Sequence, residues 1–72
     1  MKMIHKPVSS SNLESVGYDA KTKILEIKFL NSGLYEYYKV PQAIYTGLMS
    51  ASSHGTYFHQ NIRNVYEYKK IG

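Results

Sequence analysis

Hydrophobic and polar residues alternate most regularly in the middle of the chain. Leu25, Ile27 and Phe29 are separated by the charged residues Glu26 and Lys28. Successive side chains of a strand point to opposite sides, so this period of two predicts a strand with one buried face. Three apolar side chains then point to a core and two charged ones to solvent.

A short loop connects this strand to a second predicted strand, residues 34–40, which is rich in aromatic residues. A three-residue loop ending at Gly33 places Ile27 opposite Tyr37 and keeps the apolar faces together. A two-residue loop would place Ile27 opposite Glu36 and mix the two faces. The three-residue loop is therefore predicted, with Gly33 in the left-handed conformation that such loops require.

An upstream strand is predicted from Asn12 to Tyr18, because Val16 and Tyr18 are two residues apart. A four-residue type I turn over residues 19–22 joins it to the central strand, since Asp19 favours the first position of such a turn. The result is a three-stranded antiparallel meander with one apolar face. Such a face needs a cover.

Two short helices are predicted to supply that cover. The segment after Pro41 places Ile44 and Leu48 on one helical face, and a second segment places Phe58 and Ile62 four residues apart. The tail after these helices alternates weakly, which is compatible with a C-terminal edge strand.

Two features of the helical region have structural explanations. Gly47 lies inside the first helix, where it costs up to about 1 kcal/mol relative to Ala, and this indicates close packing at that position. Ser52 and Ser53 precede the second helix, and either hydroxyl can cap it.

The length and composition of the chain limit its class. With 72 residues, 43% hydrophobic and 19% charged, it is expected to form one domain over residues 1–72, of which residues 1–7 are a loose N-terminal segment. No apolar run approaches the ~20 residues of a membrane span, and the N-terminus does not read as a signal peptide. There is no cysteine, whereas small secreted domains usually need disulfides, so a cytoplasmic location is expected.

The excess positive charge lies at the two ends of the chain. Residues 1–10 carry two lysines, and residues 61–72 carry three cations against one glutamate. This distribution favours an anionic partner such as nucleic acid, although charged ends also keep a small domain soluble. Arg63, Lys69 and Lys70 are the candidate phosphate-binding residues, and Arg63 has an alternative role at the C-terminus of the second helix.

No set of residues has the pattern of a catalytic or metal site. His54 and His59 are five residues apart, about 140° around a helix, so they do not share a face as a pair of metal ligands would. No serine is marked as an activated nucleophile, and no phosphate-binding glycine motif is present. We therefore expect neither enzymatic activity nor a metal or cofactor.

Tyrosine accounts for eight of the ten aromatic residues, a high count for a chain of this length. The register places Tyr35 and Tyr37 on the core side, where they pack, but either ring could stack on a nucleobase if it is exposed. The second helical segment leaves four polar side chains for surface contacts or for tying the helix to the sheet: Tyr57, His59, Asn61 and Arg63.

Five motifs follow one another along the chain: Val8-Ser9-Ser10, Val16-Gly17-Tyr18-Asp19, Tyr35-Glu36-Tyr37-Tyr38-Lys39-Val40-Pro41, Tyr45, and Gly55-Thr56-Tyr57-Phe58-His59-Gln60-Asn61-Ile62-Arg63. In this order they resemble the KTSC domain family, named for the C-terminus of some lysyl-tRNA synthetases and also found as short bacterial and phage proteins. The resemblance runs from about Val8 to Ile71. It departs at His59, where the family often has Asn. For the family, RNA binding has been suggested from its attachment to a synthetase.

The sequence therefore predicts an α+β domain: a three-stranded antiparallel meander followed by two short helices packed on one face, with a C-terminal edge strand as an option. The leading function is a non-enzymatic module that binds RNA such as tRNA. The alternative is a protein–protein interaction module, in which exposed Tyr and Arg side chains anchor the interface.

Overall fold

The computed structural model describes residues 3–72 and confirms the α+β class. Five strands form one antiparallel sheet whose spatial order follows the chain. The strands are β1 (His5–Pro7), β2 (Leu13–Asp19), β3 (Ile24–Phe29), β4 (Gly33–Tyr37) and β5 (Tyr68–Lys70), and the helices are α1 (Gln42–Ser50) and α2 (His54–Asn61). The optional C-terminal edge strand is thus present as β5.

Both helices cover one face of the sheet, here called the inner face. The core consists of nine buried side chains from β2 to β4, from both helices and from the segments beside them: Leu13, Val16, Leu25, Ile27, Tyr37, Val40, Leu48, Phe58 and Ile62. The opposite, outer face carries the charged residues of the central strands. In residues 3–72, neither helix is long and apolar enough to cross a membrane.

The β3–β4 hairpin keeps the predicted faces but not the predicted register. Ile27 pairs with Tyr35 rather than with Tyr37, and the three-residue loop spans residues 30–32. Gly33 follows this loop with a φ of 94°, so the prediction of a left-handed glycine is confirmed. A shift of two residues leaves every side chain on its own face, and therefore the period of the sequence could not detect it.

The β2–β3 turn also lies one residue later than predicted. Asp19 pairs with Ile24, so the turn spans residues 20–23 instead of 19–22. The Asp19 carboxylate accepts a hydrogen bond from the backbone N–H of Lys21 at 2.9 Å, and Lys23 closes the turn with a φ of 58°. The predicted role of Asp19 in the turn is kept, because a short acceptor side chain can bond the backbone two residues on.

Residues 5–7 do not form a loose segment, and the prediction is wrong for them. They form β1, paired with β2. The His5 ring explains this anchoring, because Nδ1 lies 2.9 Å from the Ser15 hydroxyl and Nε2 lies 2.8 Å from the Glu26 carboxylate. Both partners are distant in sequence, so local composition could not indicate the contact. Residues 1 and 2 lie outside the described part.

The helical segments are placed by short-range features that the sequence indicated. Pro41 is the N-cap of α1, and Leu48 is its fully buried residue. Ser53 is the N-cap of α2, where its hydroxyl accepts a hydrogen bond from the backbone N–H of Thr56 at 3.2 Å. The Ser53 cap satisfies one of the free backbone donors at the helix start, and this sets where α2 begins.

Candidate nucleic-acid interface

An open cleft of about 440 Å³ lies where the inner face of the sheet meets α2 and β5. Six of the side chains that line it come from β4, from α2 and the turn that follows α2, and from β5. They are Tyr35, Tyr37, Phe58, His59, Arg63 and Tyr68. The fold therefore brings three tyrosines, a histidine and an arginine from distant parts of the chain to one concave surface.

Tyr68 is the most exposed aromatic residue of the cleft. It is 58% exposed and lies opposite Tyr37 in the β4–β5 ladder. Its ring centroid is 5.9 Å from that of Tyr35 and 5.6 Å from that of Tyr37. Both distances lie within the range of favourable aromatic pairs, which hold the exposed ring in place. Tyr68 thus presents a positioned ring to solvent.

Tyr35 is half-buried, with an edge-on contact to Phe29 at a centroid distance of 5.5 Å. It lines the cleft beside Tyr68, so the structure brings this predicted residue to the site. Its ring combines the two roles that the sequence left open, since one part packs in the core and another faces the cleft.

Tyr37 is 4% exposed, and its ring packs edge-on against Phe58 at 5.6 Å. Such a ring has no free face for a base, so the candidate role of Tyr37 in stacking is excluded. Burial, with smaller contributions from Tyr35 and Tyr68, raises the pKa of its hydroxyl to about 12, while the nearby Arg63 acts in the opposite direction. Tyr37 therefore remains a neutral hydrogen-bonding group at the floor of the cleft.

Arg63 supplies the positive charge of the cleft. It follows α2 in a turn, its side chain is exposed, and Nη1 donates a hydrogen bond to Nδ1 of the exposed His59 at 3.2 Å. No residue lining the cleft, all within residues 3–72, is acidic. A guanidinium in a concavity without carboxylates favours an anionic ligand, because its planar donors match phosphate geometry.

The two lysines of β5 lie on opposite faces of the sheet. Lys70 pairs with Tyr35 and shares the inner face with it, whereas Lys69 pairs with Glu36 on the outer face. The basic tail is thus not one patch. Lys70 is not among the residues that line the cleft, and Lys69 lies opposite Glu36.

Tyr57 and Asn61 do not line the cleft. The Tyr57 hydroxyl lies against Gly47 of α1, and Asn61 Nδ2 donates to the Tyr57 carbonyl at 3.1 Å. These contacts join the two helices and satisfy a carbonyl near the end of α2. The geometry therefore gives both residues structural contacts away from the surface proposed for them.

Sequence reasoning missed Tyr68 as a residue of the cleft. Tyr68 lies two residues before Lys70 in the weakly alternating tail, so pairing of that tail with β4 would have placed it beside Tyr35. The missing information was the register of β5, which tertiary contacts decide. His59 reaches the cleft only because α2 packs with Phe58 toward the sheet.

A second polar cluster lies on the outer face, where His5 bridges Ser15 and Glu26. The order of hydroxyl, imidazole and carboxylate is that of a hydrolase triad. However, Ser15 lies within a strand paired on both sides, whose backbone donors run along the sheet to its neighbours and not out of its face. Since these donors are used in the sheet and do not form an oxyanion hole, we assign the cluster to the attachment of β1. Within residues 3–72, no group of three possible ligands could hold a metal ion.

Comparison with known proteins agrees with this architecture. The family model described as KTSC domain matches residues 9–66. The chain belongs to the KTSC domain family. A crystal structure of a KTSC domain protein from Yersinia pestis superposes with a TM-score of 0.96 and 41% sequence identity, covering 99% of this chain and 100% of that one.

Two sequence relatives show where this KTSC domain recurs. A protein of Stutzerimonas stutzeri, named only as uncharacterized, is 38% identical over 65 residues, which are 89% of this chain and 92% of that protein. A lysine–tRNA ligase of Nostoc is 33% identical over 61 residues, which are 85% of this chain but 11% of the ligase. The domain therefore occurs both in short proteins and as a small part of a synthetase.

Proposed function

We propose that this KTSC domain is a non-enzymatic module that binds RNA, with tRNA as the leading class. The observation that carries the proposal is the cleft, which is lined both by the exposed ring of Tyr68 and by Arg63, with no carboxylate among the lining residues. Aromatic rings that stack on bases and cations that contact phosphates are the two components of single-stranded nucleic-acid sites.

The relative in Nostoc supports tRNA as the RNA. That protein is named as a lysine–tRNA ligase, and the matching stretch is about a tenth of its length. A small domain joined to a tRNA-dependent enzyme can add affinity for the same RNA, because the second contact becomes intramolecular. An RNA partner would also place the domain in the cytoplasm.

The non-enzymatic part of the proposal is supported by the contacts of the three histidines. His5 bridges Ser15 and Glu26, His54 Nδ1 lies 2.7 Å from the Leu48 carbonyl, and His59 accepts a hydrogen bond from Arg63. Of these three histidines, His59 alone lines the cleft, and it hydrogen-bonds a cation, not a hydroxyl to be activated.

The proposal is tested by titrating labelled tRNA, and a DNA duplex for comparison, at two salt concentrations. The matched variants are Arg63→Ala and Lys21→Ala, each of which removes one exposed positive charge. Lys21 lies in the β2–β3 turn, at the end of β3 away from the cleft. We expect Arg63→Ala to weaken tRNA binding and to reduce the slope of log K against log salt by about 0.7. Lys21→Ala should leave both nearly unchanged.

Two results would overturn the proposal. Absence of tRNA binding at low salt removes RNA as the partner and favours the protein-interaction alternative. Equal losses in Arg63→Ala and Lys21→Ala would mean that binding depends on net charge and not on the cleft.

A further inference from the structure

Three tyrosines line the cleft, none of their hydroxyls has a hydrogen bond within residues 3–72, and Tyr37 is the most buried of the three. Tyr18 donates to the Val40 carbonyl and Tyr38 donates to the Glu36 carboxylate. Among the described residues, the Tyr37 hydroxyl has no such hydrogen bond. Its oxygen is not fully buried, and Tyr37 lines the cleft. Buried phenol groups usually find a partner, so a ligand in the cleft is a natural acceptor for this one.

We propose that the cleft holds one unpaired nucleotide of a single-stranded RNA, with its base stacked on the Tyr68 ring, a polar base or sugar atom at the Tyr37 hydroxyl and a phosphate at Arg63. This inference rests on the proposed function and specifies the form of RNA that is bound. It also assigns Tyr37 a polar contact in place of stacking.

The concave shape favours an unpaired nucleotide over a duplex. A base in a duplex is stacked on both faces, so it has no face left for Tyr68, whereas unpaired bases in loops and ends can be turned out onto aromatic rings. A volume of about 440 Å³ suits a small polar ligand of this kind.

The charges around the cleft agree with a ligand that carries a phosphate. Arg63 lies at the α2 side of the cleft, and Lys70 lies on the inner face beside Tyr35. Tyr37 lines the same cleft as Arg63. Because burial keeps the pKa of Tyr37 high, this hydroxyl stays protonated and can donate to the ligand at physiological pH.

The test compares a short unstructured RNA with the same RNA annealed to its complement and with single-stranded DNA of the same sequence. The binding variants are Tyr68→Ala and Tyr37→Phe. Tyr38→Phe is the matched control, because it also removes one phenol hydroxyl but near Glu36 of the outer face. Circular dichroism and thermal melting establish that each variant is folded before its affinity is measured.

We expect the single-stranded RNA to bind more tightly than the duplex and the DNA. Tyr68→Ala should weaken that binding about fivefold to a hundredfold, the range measured for loss of one stacked base. Tyr37→Phe should weaken it about threefold to tenfold, as for one lost hydrogen bond, while Tyr38→Phe leaves it unchanged.

Equal affinity for duplex and single strand, with no effect of Tyr68→Ala, overturns the inference but leaves the proposed function intact if Arg63→Ala still weakens tRNA binding. Equal binding of the DNA overturns the assignment to RNA. Equal losses in Tyr37→Phe and Tyr38→Phe remove the assigned role of the Tyr37 hydroxyl.

Discussion

The Tyr57 hydroxyl lies against Gly47, in the space that a Cβ at position 47 would occupy. This contact joins α2 to α1 and explains why a residue that costs up to about 1 kcal/mol within a helix is present there. It also explains why Tyr57 does not face the cleft. The predicted close packing at Gly47 is thus confirmed, with Tyr57 as the residue that requires it.

We expect Gly47→Ala to lower the free energy of unfolding by about 1–3 kcal/mol, because the added methyl group displaces the Tyr57 ring. In a Tyr57→Ala background, the same substitution should raise it by up to about 1 kcal/mol through helix propensity. Urea denaturation of the four proteins of this double-mutant cycle measures the coupling. An effect of equal sign and size in both backgrounds would contradict the contact.

Phe58→Ala is expected to destabilise the domain by about 3–5 kcal/mol, because Phe58 is 8% exposed and packs against Phe29 and Tyr37 at centroid distances of 5.2 and 5.6 Å. A domain of this size has only about 3–5 kcal/mol in reserve, so the variant should be largely unfolded. Thermal melting followed by circular dichroism measures this, with Phe58→Leu as the control that keeps most of the volume. A cooperative melt of Phe58→Ala near that of the wild type would disprove the core role.

Arg63→Ala should have the opposite profile, with a small effect on folding and a larger one on binding. The side chain is exposed and hydrogen-bonds the exposed His59, so its removal should cost about 0.3–1 kcal/mol. The melting temperature should then fall by less than about 8 °C. Arg63→Lys, which keeps the charge, should restore part of the RNA affinity. A melting temperature far below that of the wild type would identify the guanidinium as a structural contact.

The stability of the fold should fall at alkaline pH because of Tyr37. Its pKa rises from the ordinary value of 10 to about 12 in the folded state, which therefore holds the proton more tightly than the unfolded chain. The stabilisation is complete below pH 10 and is lost as the pH rises through about 12, by at most about 1.4 kcal/mol per pH unit. Urea midpoints across this range should fall more steeply for the wild type than for Tyr37→Phe, which lacks the ionisable group. Parallel curves would show that other groups cause the loss.

Local patterns in the sequence account for the elements and for the face that each side chain occupies. The alternation around Ile27 predicted a half-buried strand, the spacing of Phe58 and Ile62 predicted a helical face, and the serine pair predicted the cap at Ser53, all of which the structure confirms. These features arise from contacts within a few residues, which a single sequence contains in full.

Tertiary structure alone decided the registers, the attachment of β1 and the composition of the cleft. A shift of two residues preserves both faces of a strand, so only packing could select Tyr35 as the partner of Ile27. The anchoring of His5 by Glu26 and the placement of Tyr68 opposite Tyr37 join residues more than twenty positions apart. Such contacts form when the collapsed chain satisfies buried polar groups and packs its rings together, and neither requirement leaves a local pattern in the sequence.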